Sequence, residues 1–164
     1  MTTRRAGLIR TLAAIGMVGA SMLSVAGCAT DSPKEQIDRE HKAASVPVFK
    51  LHMEHDLWSR TNSDHVGDSG RKVDKPKSLT DDPATGMATI ELTGPQMVDY
   101  LQILDYNAHG GMSAHDPSLA GSVYDAVAPV VDKLQTPPAP DAPAPEVTVS
   151  AAVKSSAPTT AAAK

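Results

Sequence analysis

Met87-Ala88-Thr89-Ile90-Glu91-Leu92-Thr93-Gly94-Pro95-Gln96-Met97 is the stretch on which the fold turns. Its first six residues alternate so that Ile90 and Leu92 share one face, the period-2 pattern of a half-buried strand. Thr93 then stands three residues before Gln96, the spacing of a capping box. Leu92 and Met97 bracket that cap as a hydrophobic staple does. The helix that follows carries Met97, Leu101, Leu104 and Ala108 on one stripe, widened by Val98, and Gly110-Gly111 stops it. One strand running directly into one helix, over about 94–109, is the result.

A second helix is predicted over 117–135. Asp116 suits the N-cap and Pro117 the first helical position, and Leu119, Val123, Val127, Val130, Val131 and Leu134 recur at helical spacing. Pro129 lacks the amide that would bond back to Asp125, so it kinks this helix or ends it early. The two helices form a helical hairpin with the strand beside it. Upstream, Phe49, Met53 and Leu57 lie four apart, which predicts a third helix across 48–58. Residues 61–83 are polar and rich in turn formers, with room for short strands near Lys72-Val73 and Ser78-Leu79. Asp82-Pro83-Ala84-Thr85-Gly86 can turn such a strand back as a hairpin into the one at Met87. The expected fold class is α+β, small and helix-dominated, with disordered ends.

The ends differ from this centre in composition. Residues 28–45 are charged and hold one large apolar side chain, Ile37; Asp31-Ser32-Pro33 could open a helix, but it would have no apolar stripe to bury. That segment reads as a charged tether, and the globular domain as 46–135. Residues 136–164 hold six prolines and nine alanines with many Ser and Thr. Such a composition cannot bury enough apolar surface to offset its ordering entropy, so an extended, disordered tail is expected, serving as a spacer or a carrier of sugars.

The first thirty residues carry the functional signal. Arg4, Arg5 and Arg10 form a positive head with no acidic residue before Asp31, and Leu12 to Val25 is an uncharged, mostly apolar stretch. About fourteen residues suit a signal-peptide core and fall short of the roughly 20 that a spanning helix needs. Val25-Ala26-Gly27-Cys28 resembles the lipobox of bacterial lipoproteins: an aliphatic residue, two small ones and the cysteine that is acylated. The resemblance implies cleavage of residues 1–27 before Cys28, a diacylglyceryl group on its thiol, and a chain held at the extracytoplasmic face of a membrane. It covers the signal segment alone; no family is recognised for the mature domain. Thr3-Arg4-Arg5-Ala6-Gly7-Leu8 also looks like a loose twin-arginine export signal. Cys28 is the only cysteine, so no internal disulfide can form.

Loss of Arg4, Arg5 and Arg10 from fifteen basic residues leaves twelve against nineteen acidic ones, a mature net charge of −7. That balance gives no electrostatic footprint for nucleic acid. Five aromatic residues in the whole chain mean a core built of Leu, Ile, Val, Met and Ala.

Several motif-like stretches fail on their chemistry. Gly67-Asp68-Ser69-Gly70 matches the sequence around the nucleophile of chymotrypsin-like proteases, but the two β-barrels and the upstream histidine and aspartate of that fold have no room here. Asn62, Asp64 and Gly67 mimic positions one, three and six of a calcium loop. Positions five and twelve fall on Val66 and Val73, where a hard cation needs oxygen. Ser113, His115 and Asp116 have the residue types of a triad without a strand-to-helix nucleophile elbow. Asp99, Asp105, Asp125 and Asp132 read as a solvated surface. No enzyme and no cofactor are expected.

The histidines offer the alternative. His52 and His55, three apart, would share a helical face, and His109 and His115 flank the loop between the two later helices. With Met53 and Met112 they suggest a copper or zinc site, although His109 at a helix end also suits the dipole there. Two readings stand: a lipid-anchored, non-catalytic envelope module that binds an envelope protein or cell-wall component or helps assembly at the membrane, or an extracytoplasmic metal-binding lipoprotein.

Overall fold

The structure, a computed structural model, describes residues 31–64, 70–110, 114–139 and 141–149. Those residues form α1 (Gln36–Ala44), β1 (Phe49–Glu54), α2 (His55–Thr61), β2 (Ser78–Asp82), β3 (Met87–Leu92), α3 (Gly94–His109), α4 (Pro117–Asp132) and β4 (Glu146–Thr148). The arrangement is mixed α+β, with four helices and one four-stranded sheet among the described residues.

The cap at Thr93 makes the strand-to-helix corner. Its hydroxyl accepts from the Gln96 amide, and the Gln96 side chain accepts from the Thr93 amide at 2.9 Å. Two of the amides that a helix start leaves without partners are satisfied in this way. Ala88, Ile90 and Leu92 of β3 are buried, and their partners across the sheet, Met53, Leu51 and Phe49, are buried with them. The strand order is β2-β3-β1-β4. β2 and β3 are a hairpin closed at Gly86, whose φ of 69° favours glycine. In that turn the Asp82 carboxylate accepts from Thr85 Oγ1 and the Ala84 amide, which hold it below the usual aspartate range. The helices cover one sheet face, where Met97, Leu101 and Leu104 of α3 and Val123, Val127 and Val131 of α4 close the core.

Three segments differ from the sequence reading. The helix expected across 48–58 is a strand to Glu54 and a helix only from His55. Phe49, Leu51 and Met53 alternate as well as Phe49, Met53 and Leu57 recur, and pairing with β3 selects the alternation. Within α2, Leu57 and Trp58 turn into the core, where Trp58 packs on Tyr100 with ring centroids 5.0 Å apart. The Tyr100 hydroxyl, 2.8 Å from Thr61 Oγ1, is fully buried, and burial pushes its pKa well up.

The second difference is α1, which lies within 28–45 and packs on both α3 and α4. Its docking is polar. The Tyr124 hydroxyl donates to Gln36 Oε1, Arg39 Nη1 donates to the Tyr124 hydroxyl at 3.0 Å, and Arg39 Nε and Nη2 grip both Asp132 oxygens at 2.8 Å. Glu40 accepts from Gln36 and from Gln102 of α3. A helix attached through amides, a guanidinium and the small Ala43 leaves no apolar stripe in the sequence. The third is β4, within 136–164, which pairs in parallel with β1 and buries Val147, with Val149 just after it also buried. α4 itself ends at Asp132, three residues past Pro129 and short of 135.

The Arg39–Asp132 pair sets one expected outcome. Hydrogen bonds from Arg39 hold the Asp132 carboxyl below the usual range, so its stabilising effect is complete above the ordinary aspartate pKa and is lost as pH falls through its own lower value. The Asp132 side chain is 39% exposed, which discounts the pair, and Asp132→Asn is expected to cost about 1 kcal/mol at neutral pH. Thermal midpoints of variant and wild type should converge in strong acid; a constant gap at all pH values would deny the pair this role.

Candidate functional site

The sheet face away from the helices is polar because strand alternation puts every second residue there. Register lines up Thr80, Thr89, His52 and Thr148 across four strands. His52 Nδ1 is 3.1 Å from Thr89 Oγ1, and its Nε2 is 3.9 Å from a Glu146 oxygen. His55 begins α2, with Nδ1 2.7 Å from Asp81 Oδ1. The two histidines therefore do not share a helical face; each meets a different neighbour at the sheet.

His109 sits at the opposite layer. Its Nδ1 lies 2.8 Å from Asp105 Oδ1, one turn back on α3, and its ring meets Tyr124 edge-on with centroids 5.4 Å apart. His115 is exposed before α4. Among the described residues no group of three or more His, Cys, Asp or Glu is placed to hold a metal ion. Met112 lies outside the described residues, as do Ser69, Ser113 and Cys28 with the whole of 1–27.

Of the carboxylates singled out from sequence, Asp99 and Asp125 are exposed, while Asp64, Asp105, Asp116 and Asp132 have structural partners. Asp116 caps α4 through the Leu119 amide and pairs with Arg60 at 2.7 Å. Asp64 accepts from the Arg71 amide and Nε, and Val73, at the twelfth place of the calcium-like loop, is a core residue. Asp105, expected on a solvated surface, is also the acceptor for Ser32 Oγ at 2.6 Å. Serine and histidine thus converge on one carboxylate. A nucleophilic serine needs its hydroxyl on a base nitrogen, which this geometry does not provide.

One concave site stands apart from these pairs. A cavity of about 380 Å³ opens between the α1–β1 loop, the end of α4 and the proline-rich connection to β4, lined by Val46, Pro47, Val48, Leu134, Pro138 and Pro143 among others. Its wall is mostly apolar, with Lys133 and Gln135 as polar members, and among the described residues it includes no His, Asp, Glu, Ser or Cys. Such a site can hold an apolar group, with the Lys133 ammonium as the charged group at its wall among the described residues. Sequence reasoning missed it because its wall includes 136–145, assigned there to the tail. It also missed the docking of Asp31 and Ser32, for which two isolated polar residues give no periodic signal.

No family model, curated protein or solved structure matches the chain. No helix among the described residues is long and apolar enough to cross a membrane.

Proposed function

We propose that the chain is a bacterial envelope lipoprotein: residues 1–27 are removed and the domain is held by lipid on Cys28, at the extracytoplasmic face of a membrane. The observation that carries this reading is the order Arg4-Arg5, Arg10, the apolar stretch from Leu12 to Val25, and Val25-Ala26-Gly27-Cys28. Two or more acyl chains make a stable anchor where one chain binds only marginally, which is why a diacylglyceryl cysteine suffices without a spanning helix. The anchored domain is a non-catalytic module that binds an envelope protein or cell-wall component. Support comes from the engagement of Asp64, Asp105 and Asp116 in structural contacts and from the apolar character of the cavity. The α3–α4 hairpin is the scaffold of that module.

Cys28→Ala tests the anchor. The variant is expected to leave the membrane fraction or to accumulate uncleaved, and the wild-type chain should incorporate labelled fatty acid that the variant does not. Processing and membrane retention equal to wild type would refute the lipid anchor.

A further inference from the structure

The point where the chain joins the domain fixes how a lipid-anchored domain stands on its membrane. The Asp31 amide donates to the His109 carbonyl at 3.1 Å, and Ser32 Oγ donates to Asp105 Oδ2 at 2.6 Å. Both contacts fall at the C-terminal end of α3. Only Ala29 and Thr30 separate Asp31 from Cys28, and three residue steps span at most roughly 11 Å even when fully extended. The lipid-bearing residue therefore cannot stray far from that end of the helix layer.

We propose, resting on the lipid-anchor reading above, that the end built by the C-terminus of α3 and the start of α4 lies against the lipid headgroups, and that the apolar cavity faces away from the membrane. The helices set the direction. α3 has sixteen residues and spans about 24 Å. Its far end, at Gly94, abuts the Ala43, Ala44 and Val46 carbonyls, and Val46 is also part of the cavity wall. α4 runs the other way, from His115 and Asp116 near the anchored end to Lys133 and Leu134 at the cavity. A seventeen-residue tether would leave the domain free to tumble at a distance; docking of Asp31 and Ser32 removes that freedom. Ile37, in the first turn of α1, is the most exposed large apolar side chain among the described residues, at 68%, but its neighbours Gln36 and Arg39 bond to Tyr124 and Asp132 further along α4, so it does not mark the anchored end.

The test uses the full chain, lipidated in a bacterial host and reconstituted in phosphatidylethanolamine–phosphatidylglycerol vesicles that carry a headgroup-linked energy acceptor. Cys28 is the only native cysteine and its thiol is taken by lipid, so one added cysteine takes the donor dye alone. His115→Cys reports the near end and Gln135→Cys the cavity end; both positions are exposed. Transfer is expected to be at least about twofold stronger from 115 than from 135, given a separation set by the length of α3. Inserting about twenty Gly and Ser residues between Thr30 and Asp31, a coil of roughly 25 Å, should abolish the difference. Equal transfer from both ends while the protein stays on the vesicles overturns the orientation and leaves the anchor standing. A chain that carries no lipid and does not bind the vesicles overturns the anchor, and the orientation with it. Exchange of the Asp31 amide at the rate of an open peptide would also overturn the orientation, independently of any dye.

Discussion

A fragment cut to residues 46–135 is expected to show no cooperative thermal unfolding, while residues 31–149 retain a single sharp transition. The short fragment is what the sequence marks as the domain, and it cuts into the core at both ends. On the C-terminal side it deletes Val147 and Val149, both almost fully buried, at about 1.5–3 kcal/mol each. It also opens the outer edge of β1, where the Lys50 amide donates to the Pro145 carbonyl and the Val149 amide to the His52 carbonyl, each at 2.9 Å. On the N-terminal side it deletes α1. Tyr124 and Asp132 then lose Arg39, Gln102 loses Glu40, and the surface of α3 and α4 under Ala43 is wetted. Together these losses approach the whole of a domain's usual net stability, about 5–15 kcal/mol. Calorimetry or near-ultraviolet circular dichroism on the two fragments checks this; a sharp transition in 46–135 would make α1 and β4 dispensable.

What was legible in the sequence was whatever a local signal specifies. The corner at Leu92-Thr93-Gly94-Pro95-Gln96-Met97 was readable because cap, staple and periodicity agree there, and Asp116-Pro117 marked the start of α4 for the same reason. β1 reads as a helix from sequence because Phe49, Met53 and Leu57 recur four apart while Phe49, Leu51 and Met53 also alternate, and only pairing with β3 decides between the two patterns. α1 and β4 were missed for a different reason. Arg39, Gln36 and Glu40 bind through groups that look like solvent-exposed residues in a sequence, and their partners Tyr124, Asp132 and Gln102 lie more than sixty residues away. Val147 and Val149 sit among prolines and alanines that by composition point to disorder. The histidines were grouped by proximity along the chain, whereas β1 and α3 carry His52 and His109 into separate layers. If Cys28 carries lipid as proposed, the contacts of Asp31 and Ser32 would make the link to the domain a short mooring in place of a seventeen-residue leash.

Gly94→Ala is expected to destabilise the domain by about 3 kcal/mol, lowering the thermal midpoint by roughly 10–20 °C. Glycine is not needed at 94 for its backbone angles, since the left-handed glycine among the described residues is Gly86. It is needed for closeness. A Cβ at 94 would meet the carbonyl oxygens of Val46, Ala43 and Ala44 at 2.6, 2.7 and 2.7 Å. All three are backbone atoms at the end of α1 and the turn after it, so no side chain can swing aside. Relief requires α1 to lift from the start of α3, and with it the Arg39–Asp132 and Tyr124–Gln36 contacts further along the same helix. Gly121→Ala is the matched control. It too sits on a helix, but its Cβ would find Ala108 Cβ at 3.9 Å, an ordinary contact. Removing a glycine from the interior of α4 without a clash should raise stability by about 0.5–1 kcal/mol. Opposite signs for the two substitutions, read as shifts in denaturant midpoint at unchanged slope, would place the close approach of α1 and α3 at Gly94. A neutral Gly94→Ala would mean that α1 is not packed there, and the docking of the segment from Asp31 to Ala44 would lose its firmest point.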